Sequence, residues 1–158
     1  MAAQEGKRLA QFARSVREST LNRLRLVPVG MENWHPSPGT MSFADIAWHL
    51  VKCDEWLFKK LQDQDLRPIH GEPGAVQIAH RSDYDKILKD LQKVGERRSE
   101  LIANASENKL SEMMFDERFE GEVSTWWVIL RGNLDHEIQH RGQLNVYLGI
   151  IKPETSPI

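Results

Sequence analysis

Ser42-Phe43-Ala44-Asp45-Ile46-Ala47-Trp48-His49-Leu50-Val51-Lys52-Cys53-Asp54-Glu55-Trp56-Leu57-Phe58-Lys59-Lys60-Leu61 carries a helix start signal followed by a single apolar stripe. Ser42 with Asp45 three residues on reads as a capping box in which Asp stands for the usual Glu or Gln. Phe43, Ile46, Ala47, Leu50, Leu57, Phe58 and Leu61 recur at i, i+3, i+4 and i+7, the course of one buried helix face. Upstream, Gln4 to Leu26 reads as a first helix. Leu9, Phe12, Val16, Thr20, Arg23 and Val27 lie along one side of it, Leu21 and Leu24 lie beside them, and Pro28 ends it. Downstream, Ser82 with Asp85 opens a third helix whose core positions are Tyr84, Ile87, Leu88, Leu91, Val94, Leu101 and Ile102. Ser124 or Thr125 caps the last helix, which runs to about Leu148 with Gly149 as its stop.

No segment shows the alternation of a half-buried strand, so the chain reads as all-α, a four-helix bundle. The second and third connections are long enough for crossovers. One contains Pro68, Gly71, Pro73 and Gly74; the other runs from Asn104 to Val123. Met113, Met114, Phe115 and Phe119 in the latter are expected to cover one end of the core. Residues 1–158 are expected to form a single domain with a loosely held tail from Lys152 to Ile158.

Composition narrows the function classes. Lys and Arg number 21 against 23 Asp and Glu, a formal charge of −2. Nucleic acid is therefore not expected as a partner, since its binders carry a basic excess. No stretch approaches the ~20 apolar residues of a membrane span, and Met1 to Arg8 has no apolar run of signal type. With one cysteine, Cys53, the chain makes no internal disulfide and no cysteine-based zinc cluster, and a cytoplasmic location is the expectation. Any metal must be held by histidines and carboxylates.

The densest chemistry is Asp135-His136-Glu137-Ile138-Gln139-His140-Arg141-Gly142-Gln143. Histidines at i and i+4 sit one turn apart on one helix face and can reach a single ion together. Ile129, Asn133, His136, His140, Gln143 and Tyr147 form one stripe with a polar middle, where a purely structural helix would carry Leu or Ile. The alternative is a pair of exposed or hydrogen-bonded histidines. The letters also match the H-E-x-x-H pattern of metalloproteases. Those enzymes take a third ligand from downstream, but the residues after His140 hold no histidine and one acid, Glu154, behind Pro153. Glu137 points about 100° away from His136 around the helix and makes a poor general base. His49, between Ile46 and Leu50, is the best third ligand. His35, His70 and His80 fall in Pro- or Gly-rich connections, where a solvated histidine is the default. A set of His49, His136 and His140 leaves positions open for water or substrate, as catalytic metal sites do.

Ser42 to Leu50 followed by His136-Glu137-Ile138-Gln139-His140-Arg141-Gly142-Gln143-Leu144 resembles the DinB-like (DinB/YfiT) superfamily of four-helix metal-binding proteins. The resemblance covers nearly the whole chain. It implies a bundle with two long crossovers, a divalent metal on His49, His136 and His140, and a homodimer. It also implies a small-molecule substrate and a transferase or isomerase chemistry that uses a low-molecular-weight thiol such as bacillithiol, mycothiol or glutathione. Gln143 and Arg141 match the trailing motif without an assigned role.

Three neutral imidazoles suit Zn, Ni, Cu or Fe, with Zn or Ni the expectation. The mechanism this suggests is activation of the thiol as a thiolate that attacks an electrophilic small molecule. A hydrolase that activates water and a non-enzymatic, stress-related metal-binding bundle are its rivals. Asn133, Gln143 and Cys53 are candidate neighbours of the site. Cys53, one turn after His49, is expected to be a small buried hydrophobe, with a fourth ligand as the alternative. Asp45 is read as the capping acid, and its other possible role is as an acceptor for His49. Gly132 and Gly142 lie inside a helix, where glycine costs about 0.5–1 kcal/mol, and so suggest close approach of a helix or ligand. The five tryptophans are expected in the core and at interfaces.

Overall fold

The computed structural model describes residues 3–62 and 66–152; the expected loose tail from Pro153 onward lies outside them. Helix α1 spans Ala3–Arg25, α2 Phe43–Lys60 and α3 Arg81–Ala103. The fourth long helix is composite: α5 (Thr125–Ile129), one π-helical turn (Leu130–Leu134) and α6 (Asp135–Ile151). A short α4 (Glu107–Ser111) and a hairpin fill the third connection. In the hairpin, β1 (Met113–Asp116) pairs antiparallel with β2 (Gly121–Ser124), Met113 opposite Ser124 and Asp116 opposite Gly121. A 3₁₀ turn, Glu117–Phe119, forms its tip.

The bundle has two apolar layers. At one end Leu21, Leu24, Phe43, Ile46, Leu50, Tyr84, Leu91, Leu144 and Tyr147 pack together. At the other end Leu9, Ala13, Trp56, Leu57, Ile102, Ile129 and Leu134 do so. Their order along the chain sets the helix directions: α2 and α3 run from the first layer to the second, and α1 and the composite helix run the opposite way. The end of α2 and the start of α3 therefore lie at opposite ends of the bundle, and residues 66–80 form a strap between them. Trp56 Nε1 donates to the Arg67 carbonyl at 2.9 Å at one end of this strap. Near the other end the Asp45 carboxylate accepts from Gly74 N and Val76 N, both at 2.9 Å.

Local signals placed several boundaries correctly. Ser42 and Asp45 form the full capping box, and Ser124 caps α5 through Trp127 N. Other expectations are corrected. Phe12 is exposed, because the side of α1 buried by α3 runs through Leu9, Ala13, Val16 and Thr20. Helix α3 begins at Arg81, ahead of Ser82, with His80 at the N-cap position; the Arg81 guanidinium donates to the Val27 carbonyl at 2.8 Å and lies over Tyr84, drawing in the earlier turn. Gly149 does not stop α6, since the helix runs on to Ile151, which packs on the first apolar layer. The hairpin was not expected. Its strands are four residues long, too short for alternation to register, and Met113 and Phe115 face outward while Met114 and its partner Val123 pack on the core.

Candidate metal centre

The α2 stripe that buries Ile46 and Leu50 brings His49 to face α6, where His136 and His140 project one turn apart. Their ring nitrogens converge. His136 Nε2 lies 3.3 Å from His49 Nε2 and 3.1 Å from His140 Nε2. Ligands held at ~2.0–2.1 Å from a zinc-sized ion stand about 3.3 Å apart in a tetrahedral set and about 2.9 Å apart in an octahedral one. The observed separations fall in that range. Among the described residues the three histidines form the one group of potential ligands whose donor atoms all lie within 4.8 Å of one another.

A hydrogen-bond chain orients His140. Tyr147 Oη donates to the Met41 carbonyl at 2.9 Å and accepts from Gln143 Nε2 at 2.9 Å. That orientation leaves Gln143 Oε1 as an acceptor, 2.9 Å from His140 Nδ1. The proton of His140 therefore sits on Nδ1, and its Nε2 turns a lone pair toward the other two rings. Burial lowers the pKa of His49 to about 3, with repulsion from His140 and His136 adding to it. Burial likewise lowers His136 to about 4, and it lowers His140 against the opposing Gln143 bond. All three are neutral near pH 7, the protonation state a metal requires.

Cys53 is not part of that group. Its Sγ sits 3.5 Å from His49 Nε2 and 3.7 Å from His136 Nδ1, and burial raises the free thiol to about 12. Asp45 is spent on the cap and the strap, and Asn133 faces away from the triad. His35 bonds within its own loop. His70, on the strap, lines two cavities that adjoin the site, one of about 460 Å³ beside His49 and one of about 240 Å³ beside His136 and Cys53. Trp56 and Ile69 border both, which gives the approach to the triad an apolar floor.

Beside the triad, at the level between the two apolar layers, lies a cluster that reading the sequence missed. Glu137 accepts from Arg17 Nε at 2.8 Å, Arg17 Nη2 at 2.9 Å and Arg98 Nη1 at 2.6 Å. Asp54 accepts from Arg17 Nη2 at 2.8 Å, Arg98 Nη1 at 3.2 Å and Asn133 Nδ2 at 3.2 Å. Burial alone would raise the Glu137 pKa, but the two guanidinium groups hold it well below the usual carboxylate range. Two cations and two anions thus neutralise one another among buried side chains and tie together all four long helices. Asn133 and Glu137 both reach this layer across the π turn, a distortion frequent at functional sites.

The two internal glycines part ways. A Cβ on Gly132 would lie 2.5 Å from Arg118 Nη2, so the close approach expected there is made by a side chain of the hairpin tip. Nothing approaches Gly142 within 4 Å, so that expectation does not hold. Arg118 also donates to Asp116 and to the Gly132 carbonyl. Among the described residues no helix is long and apolar enough to cross a membrane.

Comparison with known proteins agrees with this architecture. No curated protein gives a significant match. The model of the DinB superfamily matches residues 12–144. That span runs from α1 into α6 and includes all three converging histidines, and the chain belongs to the DinB superfamily.

Proposed function

We propose that this protein is a metal-dependent transferase in which a low-molecular-weight thiol is the nucleophile and a small electrophilic molecule the acceptor. His49, His136 and His140 would hold the ion, with Zn or Ni the metals expected of three neutral imidazoles. A divalent ion there supplies the Lewis acidity that keeps a thiol ionised at neutral pH.

The observation that carries this reading is the fate of Glu137. In a water-activating site of the H-E-x-x-H kind that carboxylate would be the free base; here it is buried and bound by two arginines. Of the other carboxylates that line the two adjoining cavities, Asp45 is spent on the cap and the strap, Glu55 pairs with Lys52, and Glu72 and Glu117 are exposed. A nucleophile that brings its own acidic proton suits such a site better than water. The chain's residues then have three tasks: the Tyr147–Gln143 chain fixes the tautomer of His140, Trp56 and Ile69 exclude water, and the strap limits access. The thiol proton leaves to solvent, sulfur forms the new bond to carbon, and the leaving group departs with the electron pair.

The test is elemental analysis of wild type beside His49→Ala and His140→Ala, followed by turnover of 1-chloro-2,4-dinitrobenzene with and without added thiol. About one ion per chain, lost in both variants, with chloride release that depends on thiol, is the expected result. Turnover without thiol would favour the hydrolase, and metal binding that changes only the melting temperature would favour the non-enzymatic bundle. A cytoplasmic location and a homodimer belong to the same reading. Buried, unpaired Cys53 is consistent with the first, and exposed Val146 and Ile150, one turn apart on α6, with the second.

A further inference from the structure

The 240 Å³ cavity beside His136 and Cys53 has one cationic side chain in its wall, Arg118. Its position is built from three sides. Trp56 lies beneath the guanidinium at 4.5 Å from ring centroid to carbon, Phe119 flanks it at 5.5 Å, and Gly132 leaves the space it occupies. Asp116, buried in the hairpin, accepts from Nε at 3.0 Å and from Nη2 at 2.6 Å, and the Gly132 carbonyl accepts from Nη1 at 2.8 Å. An arginine has five N–H bonds. Three are used here, and the two that remain, one on each terminal nitrogen, have no acceptor among the described residues.

A guanidinium pinned in this way presents unspent donors at a fixed place, at the level of Gly132, four residues before His136. Donors on two adjacent guanidinium nitrogens suit the oxygens of a carboxylate or a phosphate, and the small cavity favours the carboxylate, the smaller of the two. The ion pair with Asp116 offsets the charge but leaves those donors free, Glu117 stands exposed at the rim, and the apolar floor of Trp56 and Ile69 strengthens any hydrogen bond made above it. The cavity is smaller than the ~300–1,000 Å³ of sites for drug-sized ligands, so the acidic group must lie a few bonds from the reacting atom.

We propose that Arg118 is the specificity-determining residue of this site and that it recognises a carboxylate carried by the thiol. The proposal rests on the thiol reading above and narrows it to small acidic thiols. Sulfur would enter beside His136 while the carboxylate takes the free N–H bonds of Arg118.

The experiment uses cobalt-loaded full-length protein and two probes of equal length, 3-mercaptopropionate and 3-mercapto-1-propanol, followed by sulfur-to-cobalt charge-transfer absorption. Wild type should bind the acid at least tenfold more tightly than the alcohol. In Arg118→Met, whose side chain keeps the packing on Trp56, the two affinities should come within about twofold while that of the alcohol is unchanged. Arg118→Lys, which retains the charge but not the fork, should fall between. If Arg118→Met does not fold, Asp116→Asn decides: with the internal counter-charge removed, the preference for the acid should rise. Equal affinities in wild type, or a preference untouched by these variants, would overturn the role of Arg118 and leave the thiol reading standing. Cobalt bound with no charge-transfer band from either thiol would overturn both.

Discussion

Replacing Glu137 by Gln keeps the side-chain shape and removes one charge from the middle layer of the bundle. In the wild-type protein the carboxylate receives three charge-assisted hydrogen bonds, at 2.8, 2.9 and 2.6 Å, from two buried guanidinium groups. After substitution Asp54 is left to balance Arg17 and Arg98 alone, and one positive charge is stranded among side chains that are almost wholly buried. Three bonds to charged groups at ~1.5–3 kcal/mol each set an upper limit of roughly 4.5–9 kcal/mol. The amide oxygen of Gln still accepts one of them, so the expected loss is about 3–5 kcal/mol, as for other broken buried pairs. For a chain of this size each kcal/mol shifts Tm by ~2–4 °C, which places the variant roughly 6–20 °C below wild type. Urea unfolding of chelator-treated protein, with midpoints compared at constant m, measures this without interference from a metal. A loss under about 1 kcal/mol would refute the structural assignment of Glu137. If thiol-independent activity vanished in such a variant, Glu137 would be restored as a base.

The histidine triad makes the metal-free protein sensitive to acid. Its folded-state pKa values, about 3 for His49 and about 4 for His136, lie below the 6.5 of a free imidazole, so the unfolded chain binds protons that the native state refuses. Stability is full above about pH 6.5 and falls as the pH drops from there toward 4. His49→Gln should flatten that limb of a urea-midpoint profile, and an unchanged slope would assign it to other groups. Gln143→Leu removes the acceptor of His140 Nδ1 and should weaken zinc or cobalt binding by about 10–100-fold with little change in Tm; isothermal titration reads the first and calorimetric scanning the second. Parallel loss of both would mean that Gln143 acts only in packing. Gly6→Ala places a methyl 2.7 Å from the Ile102 carbonyl oxygen and 2.8 Å from that of Ala105, so α1 must move off α3 at a cost of about 1–3 kcal/mol. A neutral result in urea would show that this contact yields easily.

The converging histidines were legible because they are written in local spacing. Two histidines at i and i+4 face one way on any helix, and His49 stands on the stripe that must turn inward to bury Ile46 and Leu50. The Ser42 and Ser124 caps and the four amphipathic segments were readable for the same reason: each depends on neighbours within one or two turns. The ionic layer depends on residues that look like ordinary surface charges. Arg17 stands among the many cations of α1, Arg98 follows Arg97, and Asp54 precedes Glu55, with nothing local to say which of each is buried. Their partners lie up to 120 residues away. The π turn that lets Asn133 and Glu137 share that layer, the hairpin that carries Arg118 to Gly132, and the chain from Met41 through Tyr147 and Gln143 to His140 are likewise products of assembly. Sequence alone determined which side chains could hold an ion, because helical periodicity is a property of adjacent residues. Only the tertiary structure decided which charges are buried and what faces the three imidazoles, because desolvation and long-range contact exist once the helices have packed.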